Sequence, residues 1–187
     1  MVIVDHNMGG LVARSAVHQA RQAGLHWAAQ VSDMVFLGTP HHGAALERAG
    51  NWLDAILNAT PYAAPFARLG KVRSAGITDL RRGNLLDEDW VGRDRFALSP
   101  DRRQIVPLPE GVRCAAVAAS LTREPGGRHE RFIGDGLVPL PSALGQHADP
   151  ARALAFAPDL QCTVQGVSHL GLLSDAAVYD RLRCWLA

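Results

Sequence analysis

No apolar run in this 187-residue chain approaches the roughly 18 residues that a membrane-spanning helix needs. An excess of one charge is missing as well. Nineteen Lys and Arg stand against eighteen Asp and Glu, a formal net charge of +1 with the two signs interspersed. Neither nucleic acid nor an anionic membrane is therefore an expected partner. Cysteine is scarce: Cys114, Cys162 and Cys184 cannot all pair with one another, and their spacing matches no zinc motif. Buried, reduced thiols are the expectation. The N-terminus has no charged, apolar and cleavage-site regions in the order of a signal peptide, so the expected location is the cytoplasm. Internal repeats and low-complexity tracts are absent too.

What remains is a chain nearly half apolar, long enough for one domain with a sizeable core. Short apolar strands alternate with helical segments. Val2-Ile3-Val4 reads as the end of a buried strand, and Leu11 to Ala23 as a helix with Val12, Ala16 and Ala20 on one face and Gly24 as its stop. "DMVFLGTP" is a second strand. The strand pattern then lapses for about 65 residues. Ala49, Trp52, Leu53, Ile56 and Leu57 fall at helical spacing there, Pro61 breaks that helix, and a short helix is expected over Tyr62 to Leu69. From Asp79 to Arg103 twelve charges, six of each sign, mark a solvated, loop-rich excursion. "VRCAAVAAS" and "LQCTVQGV" restore the strand pattern. "DAAVYDRLRCWLA" closes the chain as a helix with Val178, Leu182, Trp185 and Leu186 turned inward.

Buried strands separated by helices imply a parallel sheet with helices on its faces, and in such sheets chemistry sits beyond the C-terminal strand ends. The segments following the four strands are "DHNMGG", "GTPHHGA", "IGDGLVPLPSALG" and "GVSHLGLL". An acid in the third and a lone histidine in the fourth form a constellation with the turn in the first.

"DHNMGGLVAR" resembles the nucleophile elbow of the α/β-hydrolase fold, G-x-S-x-G, in the lipase and esterase form GHSMGGLVAR. "LGTPHHG", "GDGLVP" and "SHLGLL" resemble matching segments of bacterial lipase-like hydrolases related to the PGAP1 (GPI inositol-deacylase) group. The order, nucleophile then acid then histidine, is that of this superfamily. The resemblance puts the nucleophile position at Asn7, where the family has Ser, the acid at Asp135 and the base at His169. The oxyanion donor is the N–H of Met8, with His6, His41 and His42 as pocket walls. It implies hydrolysis of carboxylic esters of small or lipid-like substrates, with no metal and no organic cofactor. The implied architecture is one domain over 1–187, a partial α/β-hydrolase fold: a parallel half-sheet flanked by helices, with a helical cap over 45–110. The N-terminal half of the family's fold has no counterpart. The strand at Val2 to Val4 is then expected to lie at an edge and to self-associate, while Val35, Leu37, Val117 and Val164 pack beneath the helices from Leu11 and Asp175.

A hydroxyl attacking an ester gives its proton to an imidazole, which a carboxylate orients. Asn7 has no hydroxyl, so negligible turnover is expected, although Asn tolerates the positive φ that the elbow imposes. Asp5 also departs from the pattern, because the position two before the nucleophile is normally small. A pseudoenzyme or truncated remnant binding an acyl ligand or partner chain is the alternative. A nucleotide site is disfavoured, since "DHNMGG" fits neither G-x-G-x-x-G nor the P-loop. The plain rivals are turn roles for Asn7 and Asp135, helix capping or packing for His169, and packing for Trp52, Phe66 and Trp90. Adjacent His41 and His42 diverge on an extended segment, which argues against a metal pair.

Overall fold

A computed structural model describes residues 1–43, 83–89, 91, 103–123 and 134–187. Most of the expected cap, including Trp52, Phe66 and Trp90, lies outside the described residues, as do the helices expected between Ala49 and Leu69. Four strands, β1 (Val2–His6), β2 (Asp33–Leu37), β3 (Arg113–Ser120) and β4 (Gln161–Gln165), form one parallel sheet in the order β1-β2-β3-β4. The contiguous parallel sheet expected from the sequence is thus present. The described helices are α1 (Met8–Gln22), α2 (Leu140–Ala143) and α3 (Ala176–Leu186), with short 3-10 turns between them. None of the described helices is long and apolar enough to cross a membrane.

Alternation along the strands sorts the core into two layers. Val35, Leu37, Ala115, Val117 and Ala119 face Leu172, Val178 and Trp185, with Val164, Leu182 and Leu186 partly buried against them. Met34, Phe36, Cys114 and Ala116 face the other way, onto Val17, Val31 and Phe156. The expectation that one set of strand residues packs beneath both helices is therefore corrected. The Val35 layer belongs to α3, and the Met34–Phe36 layer to α1. Met34 and Phe36 have no accessible surface, and burial at this level is worth roughly 1.5–3 kcal/mol per large side chain.

Helix α1 begins one turn earlier than its apolar pattern suggested, directly at the turn after β1. Its buried stripe is Leu11, Arg14, Val17 and Ala20, a three-residue spacing, whereas Val12 and Ala16 face outward. The helix stops where expected. Leu25 N–H donates to Ala20 O and Gly24 N–H to Arg21 O, with Gly24 at φ 65°, the paired bonds of a Schellman ending. Asp175 caps α3 by accepting from the N–H groups of Ala177 and Val178. Trp185 anchors its other end through Nε1, which donates to Asp159 O at 3.0 Å. The three thiols are free, but only Cys114 is buried: Cys162 is half-buried and Cys184 lies exposed on α3. Polar outer positions of a surface helix admit a small thiol, which apolarity alone could not locate.

Candidate active site

β1 ends at His6, and Asn7 makes the turn into α1 with φ 55° and ψ −126°. It is the only non-glycine residue with positive φ among those described. The positive φ agrees with the sequence expectation, but the ψ does not belong to the left-handed helical well that Asn tolerates. The turn is strained even for Asn, and such conformations cost about 1–3 kcal/mol each. Its geometry is held from outside: Asn7 N–H donates to Leu37 O at 3.0 Å, continuing the β1–β2 ladder. The Asn7 side chain makes no capping bond to α1, and its Oδ1 is buried without a partner.

Close packing behind the turn demands glycine. A Cβ on Gly10 would run into the Thr39 side chain and stand 2.9 Å from Phe36 Cδ1. Asp5, one strand residue below His6, holds a carboxyl whose Oδ2 is also buried and unpartnered. Burial lifts that carboxyl from 3.8 to about 6.

Asp135 sits in the loop after β3 and His169 in the loop after β4; each is only 2% exposed. Asp135 Oδ1 accepts from Leu137 N–H at 2.9 Å and Val138 N–H at 2.8 Å. Its Oδ2 accepts from His169 Nδ1 at 2.7 Å, and His169 N–H donates to Asp135 O at 3.0 Å. That network puts the imidazole proton on Nδ1 and leaves Nε2 as a bare lone pair, buried with no partner. Gly38, directly after Leu37, closes the arrangement. A Cβ there would lie 3.1 Å from Asp135 Oδ2 and 3.2 Å from His169 Cε1. The elbow, the β2 loop and the Asp–His pair therefore converge at one end of the sheet. The first, third and fourth loops are joined through His6, Asp135 and His169.

The three other histidines separate. His6 stays with the pair: its Nε2 donates to His169 O at 3.1 Å and its ring lies 4.4 Å from that of His169. Burial, then the nearby His169, lowers its affinity for a proton. His41 and His42 diverge, and neither hydrogen-bonds to Asn7, Asp135 or His169. His41 is buried against Phe36 and Phe156 and accepts from Arg14 Nη1 at 3.2 Å. His42 Nε2 donates to Gly145 O at 3.1 Å. Burial holds both well below the ordinary imidazole range, His42 at about 4. No group of three metal-ligating side chains occurs among the described residues.

Arg14 is the polar residue that pattern reading missed. It is 4% exposed, in the centre of the buried stripe of α1. An arginine spaced three residues from both Leu11 and Val17 was the available signal.

A strained strand–turn–helix elbow over a parallel sheet, with a buried Asp–His pair at the same strand ends, defines the α/β-hydrolase class. Residues 1–106 match the family profile described as PGAP1-like alpha/beta domain, and the chain belongs to that family, within the α/β-hydrolase superfamily. The matched span contains the elbow and the β2 loop and ends before Asp135 and His169. The comparison with curated proteins gives no match.

Proposed function

We propose that the chain is a lipase/esterase-like α/β-hydrolase domain that keeps the acid and base of an ester-cleaving site and has lost the nucleophile. The 2.7 Å Asp135–His169 hydrogen bond, with Nε2 left bare and buried, carries this reading. In a working site that lone pair takes the proton of a serine as its oxygen attacks the ester carbonyl. Asp135 orients the ring and stabilises the imidazolium, and the Met8 N–H meets the oxyanion at the head of α1. At position 7 the carboxamide nitrogen shares its lone pair with its own carbonyl. It neither attacks nor gives up a proton, so an ester or acyl ligand is bound and not cleaved. Ser15 Oγ on α1 donates to Leu85 O, and Arg103 donates to His41 O in the loop after β2.

Loss of the nucleophile removes on the order of 10⁶-fold in kcat. The chain should show negligible hydrolysis of p-nitrophenyl butyrate and no fluorophosphonate labelling, whereas Asn7→Ser should label. Labelling of residue 7 in the unaltered chain would sink the non-cleaving reading. An Asn7→Ser chain that folds yet stays unlabelled would sink the assignment of His169 as base.

A further inference from the structure

The Arg14 guanidinium poses a problem that the ester site does not solve. It is nearly inaccessible, and its two hydrogen bonds go to uncharged groups, His41 Nδ1 at 3.2 Å and Val106 O at 2.5 Å. Its Nε–H has no partner. No carboxylate among the described residues reaches it. Burial and the nearby Arg103 lower its proton affinity, yet only to about 10, so it stays charged at neutral pH. A buried cation without a counter-charge is among the most costly arrangements in a folded chain.

Arg14 also lines a cavity of about 50 Å³, together with Arg103, Arg152, His41, His42 and Gln104. No acidic residue is among its described walls. Asp89 and Asp149 already have partners. Asp89 accepts from the N–H groups of Leu85, Leu86 and Gln104, and Asp149 pairs at 3.6 Å with Arg152 from a half-exposed position. One water needs about 10–15 Å³ of such space, so this volume has room for a carboxylate or phosphate group. Guanidinium forks fit the oxygens of such groups better than any other side chain.

From the buried, uncompensated Arg14 and the cavity that it lines, we infer that this cavity is a binding site for an oxyanion, a phosphate or carboxylate group, separate from the Asp135–His169 site. The bound anion supplies the missing counter-charge to Arg14. The site is independent of whether esters bind or are cleaved, because among the described residues no hydrogen bond joins its lining to the Asp–His pair.

The test uses the unaltered chain. Thermal unfolding is followed against inorganic phosphate and, separately, against monobutyl succinate, with ionic strength held constant by sodium chloride. A saturable rise in Tm that chloride does not reproduce is expected, because a ligand bound only to the folded state stabilises it in proportion to occupancy. Stronger binding of phosphate assigns a phosphate group, and stronger binding of the half-ester a carboxylate; each supports the site. Arg14→Met should weaken binding by about tenfold or more, the worth of a charged hydrogen bond. Arg14→Lys, which keeps the charge but loses the fork, should also weaken phosphate binding and keeps the test intact if Arg14→Met fails to fold. A Tm that neither anion shifts would overturn the proposal. So would a folded Arg14→Met or Arg14→Lys chain that binds phosphate as tightly as the unaltered one.

Discussion

Asn7 carries two separate handicaps, one chemical and one steric. Asn7→Ser removes the chemical one, since His169 Nε2 is free to take a hydroxyl proton. It leaves Asp5 beneath the turn, with Oδ1 3.5 Å from where a Cβ on Gly9 would stand. One oxyanion donor, the Met8 N–H, is assigned on this reading, and a donor of this kind is worth roughly 10²–10³ in kcat. Asn7→Ser should therefore gain slight esterase activity at most, and Asp5→Gly added to it should raise kcat further. Ordinary esterase rates from Asn7→Ser alone would show that the Asp5 handicap does not matter. Asp5 also makes a prediction about pH. Its carboxyl holds a proton up to about pH 6 when folded, against 3.8 for the free group. Between those values the native state binds more protons than the unfolded chain, so this group's contribution falls as pH rises and levels off above about 6. Asp5→Asn should flatten that part of the Tm–pH curve; identical curves would show that Asp5 does not titrate there.

The strands were legible because β2 and β3 are short, apolar and bounded by turns. Their order was legible only through the resemblance. Which side of each strand met which helix was not, since a continuously apolar strand carries no alternation to read. In α1 the pattern misled in detail: Val12 is apolar but outward, while Arg14 is charged but inward. Side-chain chemistry predicts burial on average, and a helix with small residues on several faces leaves its orientation to packing. At the site, Asp135 and His169 were legible by motif, but the parting of His41 from His42 depends on the loop after Gly38. The cap of α3 gives an independent check on element stability. Asp175→Ala leaves the N–H groups of Ala177 and Val178 without their acceptor. It should cost about 1 kcal/mol, seen as a lower urea midpoint at unchanged m-value.

At the scale of the molecule, the two outer strands differ from the two inner ones. All five residues of β2 are buried, whereas Val2 and Val4 of β1 are 48% and 46% exposed. An apolar outer strand with open backbone groups is a template for pairing with another chain. We propose self-association along β1, with Val2 to Val4 joining the same strand of a second copy. Size-exclusion with light scattering should then give a dimer, and Val4→Lys should shift it to monomer. A concentration-independent monomer with rapid amide exchange at Val2 to Val4 would rule the pairing out.

The sheet is ordered as the chain is, but its pairings are far from equal in span. Val2 pairs with Asp33, 31 positions on, while Asp33 pairs with Arg113, 80 positions on. Closing the longer loop costs about 0.8 kcal/mol more in chain entropy than closing the shorter. The central and most buried pairing is therefore the slowest to nucleate, and it must wait until the whole charged excursion has left the ribosome. Until then Met34 and Phe36 have no β3 to cover them. The growing chain is most prone to aggregate in that interval, well before either site exists.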